Sequence, residues 1–112
     1  MKIEEEAYLL RIFLGESDKH GHLPAYEAIV LKAREAGLAG ATVLRGVMGF
    51  GRHSVMHTAK ILRLSEDLPM VVEIVDTLQK IEPFVADLDS IVKEGLVTLE
   101  PVRAWRNSRP VA

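Results

Sequence analysis

The segment PMVVEIVD, residues 69–76, decides how this chain of 112 residues folds. Five of its eight residues are Met, Val or Ile, and they occupy odd as well as even positions. Side chains alternate between the two faces of a strand, so both faces of this strand are mostly apolar. A strand with one face in solvent would alternate apolar and polar residues instead. The segment therefore predicts a central strand in a sheet that is covered on both sides.

Three further segments have the branched and aromatic composition of strands. They lie at residues 7–15, 40–48 and 96–106. Pro101 falls inside the last of them, and proline has no N–H to donate to a neighbouring strand. The final strand is therefore expected at the edge of the sheet or to contain a bulge.

Two segments repeat apolar residues at helical spacing. The first opens at Leu23-Pro24 and ends at Gly37, because proline suits a first helical turn and glycine suits a helix end. The second begins near Leu78 and ends at Gly95. Pro83 removes one hydrogen bond within it, so this helix is expected either to start close to Pro83 or to kink there.

The resulting order, β-α-β-β-α-β, is the split βαβ arrangement. Right-handed crossovers make an antiparallel sheet with both helices on one face nearly the only compact solution. We therefore predict an α+β, ferredoxin-like fold in which residues 1–112 form a single domain. A short apolar piece at residues 61–64 is expected to extend a hairpin arm.

The face of this sheet away from the helices is also mostly apolar. In the first strand Leu9 and Phe13 point away from the main apolar set, as Val71 and Val75 do in the third strand. Apolar surface of this extent is usually covered. The simplest cover is another copy of the chain, and the alternative is the chain's own termini, which are short for that purpose.

Composition excludes several classes of function. The formal net charge is −2, whereas proteins that coat nucleic acid are strongly basic. The absence of cysteine excludes disulfides, thiol catalysis and cysteine metal sites. The acidic start lacks the pattern of a signal peptide, and no apolar run approaches the roughly 20 residues of a membrane span. We expect a cytoplasmic protein without a nucleic-acid partner, which contacts membranes only indirectly through a partner.

A local excess of positive charge surrounds the stretch GVMGFGRHSVMH, residues 46–57. From Arg45 to Arg63 the chain has four basic residues and no acidic one. The glycines in this stretch permit positive φ and let backbone N–H groups approach a ligand, as in turns that bind phosphate. The stretch matches neither the P-loop nor the dinucleotide fingerprint. Two interpretations stay open on spacing alone, an anion site and a flexible hairpin tip rich in turn residues.

Histidines fit a metal site only loosely. They form two pairs, His20 with His22 and His53 with His57, in a chain without cysteine, and no carboxylate lies within the segment of the second pair. We interpret all four as solvated loop residues and predict no metal site. Ser54 lies beside His53 but lacks the acidic residue and the turn motif of a catalytic serine, so we predict no catalytic residue.

Trp105 is flanked by Arg103 and Arg106 near the end of the chain. An indole ring in such a setting can stack on a nucleotide base. It can equally close an edge strand or contact another subunit, and the residues alone slightly favour this second interpretation.

Several motifs resemble the PII signalling proteins. The run GLAGATV, residues 37–43, is followed by MGFGR, residues 48–52, and then by His57-Thr58. In PII proteins a similar Gly-x-x-Gly-x-Thr-Val strand leads into Gly-Phe-Gly-Arg at the base of a long loop, and residues 69–75 resemble their third strand. The fuller pattern covers nearly the whole chain and is similar to the PII-like domain-of-unknown-function family one hundred and ninety.

The resemblance implies a non-enzymatic signalling protein. It would be a homotrimer that binds an adenine nucleotide (AMP, ADP or ATP, with or without Mg²⁺) in clefts between its subunits. Its loop, residues 49–65, would contact a partner protein. Carried over residue by residue, Thr42 would face the adenine and Gly49, Phe50, Gly51 and Arg52 would form the phosphate turn, while Arg103 and Arg106 resemble a pair of C-terminal arginines that clamp phosphates.

The chain also departs from the PII pattern. His53 stands where those proteins have a glutamine that helps to bind metal and 2-oxoglutarate, so sensing of that acid is not implied. The arginine pair is spaced by three residues instead of two, and the turn before the last strand is shortened to Lys93-Glu94-Gly95, which removes a lysine contact. The alternative function is a metal-binding or structural trimer of the same fold that uses His53 and His57. An enzyme acting on a nucleotide would need a nucleophile or an acid–base pair that the sequence does not suggest.

Overall fold

The computed structural model describes residues 3–51, 57–58 and 67–107. The elements in chain order are β1 (Ile3–Gly15), β2 (Lys19–His20), β3 (Leu23–Pro24), α1 (Ala25–Glu35), β4 (Thr42–Arg45), β5 (Met48–Gly49), β6 (His57–Thr58), β7 (Pro69–Asp76), α2 (Leu78–Asp87), a 3₁₀ turn (Leu88–Ser90) and β8 (Leu96–Arg106). The main sheet has four strands in the order β4-β7-β1-β8, and β1 pairs antiparallel with both β7 and β8. Two short hairpins, β2–β3 and β5–β6, lie outside this sheet.

Both helices pack on one face of the sheet. From α1 the core receives Ile29 and Ala33, and from α2 it receives Ile81 and Phe84. Burial of each large apolar side chain in such a core contributes about 1.5 to 3 kcal/mol. The strands contribute every second residue to the same cluster: Leu10, Ile12, Leu14, Met70, Val72 and Ile74. This antiparallel sheet with two helices on one face confirms the predicted α+β, ferredoxin-like fold.

Two predicted strands coincide with the observed ones, and two differ. The strands predicted at 69–76 and 96–106 are β7 and β8. Strand β1 begins earlier than predicted, at Ile3, because β8 supplies a pairing partner as far as Arg106. The strand predicted at 40–48 is divided into β4 and β5, which pair with different strands. Residues 61–64, predicted to extend a hairpin arm, lie outside the described residues.

Helix α2 passes through Pro83 instead of starting there. It begins at Leu78 and ends at Asp87, so it is shorter than the predicted helix. Pro83 has no N–H for the carbonyl of Gln79 one turn earlier, and because Gln79 is exposed, water can satisfy that carbonyl. The 3₁₀ turn that follows buries Leu88 in the core.

Strand β8 lies at the edge of the sheet, as Pro101 predicts, and Pro101 itself lies opposite Tyr8. Tyr8 is also the first residue of β1 that pairs with β7. Beyond this point β1 and β8 continue as a two-stranded ribbon, residues 3–7 and 102–106, which we call the β1–β8 ribbon.

Asp76 ends β7 and is buried, with 5% of its surface exposed. Its Oδ2 accepts a hydrogen bond of 2.8 Å from the backbone N–H of Ala39, and its Oδ1 accepts one of 2.7 Å from that of Thr77. Among the described residues it is the one buried polar or charged side chain. Asp76 therefore joins the start of α2 to the turn that leads into β4.

The second face of the sheet, the helix-free face, has no helix against it in the part of the chain that the structure describes. Leu44, Val75 and Leu96 remain exposed there. The sequence predicts that both faces of β7 are covered. Within one chain, β7 is covered on the helical face only.

Candidate functional site

A groove of about 1120 Å³ lies at the end of the sheet where β1 stops and β7 and β8 begin. Three turns meet there because antiparallel strands bring the end of β1 next to the starts of its neighbours. The groove is lined by the turn after β1 (Gly15, Asp18, Lys19), the base of the glycine-rich loop (Gly49, Phe50, Gly51) and the turn before β8 (Lys93, Glu94, Gly95).

The base of the glycine-rich loop is held against β7. The N–H of Gly46 donates a hydrogen bond of 2.7 Å to the carbonyl of Pro69. Gly49 has a φ of 151°, and a Cβ at this position would lie 3.0 Å from Cγ of Pro69. Glycine is therefore needed at residue 49 both for its backbone conformation and for the space beside the proline. Phe50 follows with 70% of its surface exposed at the groove.

The turn after β1 contacts the chain on both sides of the glycine-rich loop. Before the loop, Arg45 forms an ion pair with Glu16. After the loop, Oδ1 of Asp67 accepts hydrogen bonds from the backbone N–H and hydroxyl of Ser17, and the N–H of Glu16 donates to the carbonyl of Leu68. No sequence motif indicates these contacts, because the side-chain partners are 29 and 50 residues apart along the chain.

The turn before β8 brings a lysine into the groove. Gly95 fits there because a Cβ would lie only 2.5 Å from the backbone carbonyl oxygen of Phe13. This close approach seats the turn against β1, and Lys93 is among the residues that line the groove. The comparison with the PII pattern predicts that this shortened turn lacks a lysine contact of those proteins. In the structure, Lys93 of the turn lines the same groove as Gly49 and Gly51.

The remaining predicted residues lie elsewhere or outside the described residues. Arg52, the last member of the predicted phosphate turn, is outside them. Thr42 is exposed at the start of β4, opposite Glu73, and does not line the groove.

Arg103 and Arg106 lie on the β1–β8 ribbon, opposite Glu6 and Ile3. The strand residues between Glu6 and Gly15 separate the ribbon from the groove by about 30 Å, at about 3.3 Å per residue. Within one chain, the structure therefore does not bring these arginines to the glycine turn.

The two arginines also differ in direction. Residues three apart on a strand project from opposite faces, so Arg103 and Arg106 do not form a single clamp on β8. Arg103 stacks over Trp105, with the guanidinium carbon 5.0 Å from the ring centroid, a cation–π geometry. The indole remains half exposed.

The described residues contain no group of three or more His, Asp or Glu side chains placed to hold a metal ion. His20 and His22 are exposed on the β2–β3 hairpin. His53 and the side chain of His57 lie outside the described part of the chain. Within the described ranges, no helix is long and apolar enough to cross a membrane.

Residues 7–104 of the chain match the model of the DUF190 family, which is described as Uncharacterized ACR. The chain belongs to the DUF190 family. A UPF0166 protein of Aquifex aeolicus (strain VF5) is 39% identical over 94 residues, covering 84% of this chain and 89% of that protein. The UPF0166 protein MJ1524 of Methanocaldococcus jannaschii is 31% identical over 102 residues, covering 90% and 94% of the two chains.

Solved structures with the same fold are PII-like proteins. CPII from Thiomonas intermedia K12, a nitrogen regulatory PII-like protein solved with ADP, AMP and bicarbonate, superposes with a TM-score of 0.71 at 17% identity, over 95% of this chain and 94% of CPII. A putative PII-like signaling protein from Thermus thermophilus superposes with a TM-score of 0.60 at 11% identity, over 92% and 91%. At these identities the similarity concerns the fold, and the predicted PII-like resemblance is confirmed.

Proposed function

We propose that this DUF190 protein is a PII-like regulatory protein that binds an adenine nucleotide between copies of the chain and acts on a partner protein through its loop, without catalysing a reaction. The observation that carries the proposal is the groove in which a glycine turn, an exposed aromatic ring and two lysines meet. Backbone N–H groups and ammonium groups recognise phosphates, and an apolar wall such as Phe50 suits a base.

The ligand class follows from this chemistry together with the fold relatives. CPII was solved with ADP and AMP, and it has the same fold as this chain. Lys19 and Lys93 line the groove beside Gly49 and Gly51. Three carboxylates line it as well, and two of them, Asp18 and Asp67, already accept hydrogen bonds from the N–H groups of Gly15 and Ser17. We therefore propose AMP, ADP or ATP as ligand, with Mg²⁺ as an accompanying ion that the titration below tests.

A second copy completes the proposed site. Arg103, Arg106 and Trp105 lie on the ribbon, about 30 Å along β1 from the groove of their own chain. In a homotrimer the ribbon of one copy would reach the groove of the next. Arg103 would then contact phosphates that the glycine turn and Lys93 of the neighbouring copy also contact, whereas Arg106 projects from the opposite face of β8.

The loop connects this site to a partner protein in the proposal. Ligand in the groove would lie against the turn at Gly15, Asp18 and Lys19, and the neighbouring residues Glu16 and Ser17 fasten the two ends of the loop segment. A ligand that favours one arrangement of this turn shifts the population of loop states by its difference in affinity for them. Residues 49–65 would carry that change to the partner.

The first test replaces Arg52 with Ala. Titration calorimetry of wild-type protein with AMP, ADP and ATP, with and without Mg²⁺, is expected to show one site per chain. Arg52→Ala is expected to weaken binding about 10-fold to 100-fold, because a hydrogen bond to a charged group contributes about 1.5 to 3 kcal/mol. Arg34→Ala, an exposed arginine on α1, is the matched control and should bind as wild type. Equal affinities of the two variants would remove Arg52 from the site, and absence of heat with every nucleotide would overturn the proposal.

The second test asks whether two copies share the site. Lys93→Ala impairs the groove and Arg103→Ala impairs the ribbon, so each variant alone is expected to bind nucleotide at least about 10-fold more weakly. Mixed oligomers from co-expression contain sites in which an intact groove faces an intact ribbon, and these sites should regain wild-type affinity. A mixture that binds no better than the two separate variants would contradict a site between subunits.

A further inference from the structure

The turn after β1 uses its backbone donors within the protein. The N–H of Gly15 donates a hydrogen bond of 3.0 Å to Oδ2 of Asp18, and the N–H of Asp18 donates one of 3.2 Å to the carbonyl of Gly15. The two N–H groups between them donate to the carbonyl of Leu68 and to Oδ1 of Asp67. A phosphate-binding turn directs such consecutive N–H groups at its ligand instead. Phosphate recognition in the groove is therefore left to its other two turns.

Asp18 and Asp67 present carboxylates to the groove in fixed positions. Each of them lines the groove, and each has an oxygen that accepts a hydrogen bond from a backbone N–H group. The hydroxyl of Ser17 donates a second hydrogen bond, of 2.8 Å, to Oδ1 of Asp67. Neither carboxylate can turn away from an anion in the groove without losing these bonds. Its repulsion of that anion is therefore retained when the ligand binds.

Strand order places these two aspartates between the parts of the groove that suit a phosphate. The glycine turn lies beside the start of β7, Lys93 precedes β8, and β1 ends between the two strands. Neighbouring strands are about 4.8 Å apart, so the starts of β7 and β8 are separated by about 10 Å. One phosphate can bind at either side of this gap. A longer phosphate chain extends across it and passes Asp18 and Asp67.

We propose that Asp18 and Asp67 are specificity-determining residues of the groove, and that they lower its affinity for nucleotides with a longer phosphate chain relative to AMP. The inference rests on the proposed function, because it concerns how many phosphates the same site accepts. A phosphate monoester carries a charge of about −1.5 to −2 at pH 7, and each further phosphate adds negative charge. The repulsion from a fixed carboxylate therefore grows from AMP to ADP to ATP.

The cations of the site act in the opposite sense. Lys19 and Lys93 line the groove, and the proposed function adds Arg52 and the Arg103 of another copy. Because these groups attract every phosphate, the affinities of the wild-type protein combine both effects. The contribution of the aspartates is the change in the ratio of the ATP and AMP dissociation constants when their charge is removed. Mg²⁺ neutralises phosphate charge, so the ratio is measured without it.

The experiment is titration calorimetry of AMP, ADP and ATP with wild-type protein, Asp18→Asn and Asp67→Asn. Asparagine keeps an oxygen that accepts the N–H bond and removes the charge. Each Asn variant is expected to bind ATP about 3-fold to 10-fold more tightly and AMP less than about 2-fold more tightly, with ADP between them. The two aspartates are replaced separately, so one variant decides the result if the other does not fold.

Two controls separate charge at the groove from other effects. Asp67→Glu keeps the charge and alters the geometry, so the wild-type ratio of the ATP and AMP dissociation constants should persist even if both affinities fall. Glu35→Gln changes the net charge by the same amount as the Asn variants. Glu35 is exposed at the end of α1, about 15 Å along the helix from Ala25 at the groove, so its replacement should leave the ratio unchanged.

The possible results distinguish this inference from the proposed function. If the Asn variants have the same ratio as Glu35→Gln while every protein binds nucleotide, the two aspartates do not determine specificity, and the nucleotide site stands. A ratio that changes in Asp67→Glu as much as in Asp67→Asn would assign the effect to geometry and overturn the role of charge. Absence of binding of all three nucleotides to the wild-type protein would overturn the proposed function, and the inference with it.

Discussion

Replacement of Asp76 by Ala is expected to lower the free energy of unfolding by about 2 to 4 kcal/mol. Asp76 is buried, and its two oxygens accept short hydrogen bonds from the N–H groups of Ala39 and Thr77. Alanine removes both acceptors, and it leaves two donors that had been bonded to a charged group. Urea unfolding followed by circular dichroism measures the change.

Asp76→Asn and Asp89→Ala make this test specific. Asparagine keeps the size of the side chain but points an NH₂ group at one of the two N–H donors, so it should destabilise nearly as much as alanine. Asp89 is exposed on the 3₁₀ turn, and its replacement by Ala should change the free energy of unfolding by less than about 0.5 kcal/mol. If Asp76→Ala unfolds at the same urea concentration as Asp89→Ala, these hydrogen bonds do not stabilise the junction between α2 and the turn before β4.

Replacement of Gly95 by Ala is expected to destabilise the fold by about 2 to 3 kcal/mol and to reshape the groove. The added Cβ would lie 2.5 Å from the carbonyl oxygen of Phe13 and 3.0 Å from Cγ1 of Val92. The first contact is with backbone of the central strand, which cannot move without disturbing the pairing of Phe13 with Leu96. Thermal unfolding measures the destabilisation, and nucleotide titration measures the effect on the groove.

Gly40 offers a matched control for this change. A Cβ at Gly40 would meet nothing within 4 Å, and the residue does not have positive φ. Gly40→Ala should therefore leave stability unchanged or raise it by up to about 1 kcal/mol, because alanine reduces the entropy of the unfolded chain. Equal melting temperatures for Gly95→Ala and Gly40→Ala would show that the turn before β8 accommodates a methyl group and does not depend on its close approach to β1.

The candidate site could be predicted only where its signal was local. Gly49 could be recognised because positive φ leaves a trace in the sequence as glycine, and the structure gives it a φ of 151°. Lys93 could not be recognised from the sequence, because lysine is common in short turns. Lys93 lies beside the glycine turn only because Gly95 packs closely against the backbone of Phe13. Glu16 and Asp67 left no signal either, because their contacts join residues that are far apart in sequence.

For Arg103 and Arg106, the sequence indicates a pair that the structure of one chain does not form. Sequence resemblance suggested that they act together, yet strand geometry sends residues three apart to opposite faces, and register puts both at the far end of β1. A local motif describes which residue types are present. It does not specify the distance between segments that meet only through pairing.

By itself the sequence determined the order of elements, the central position of β7, the edge position of β8 and the membership of the DUF190 family. Those properties depend on periodicity and residue type, which are short-range and are written along the chain. Only the tertiary structure decided where β1 begins, that α2 continues through Pro83, and that Arg11 of β1 forms ion pairs with Glu73 of β7 and Glu100 of β8. These features depend on which strand is available as a partner and in what register, and strand pairing between distant segments is settled by packing of the whole domain.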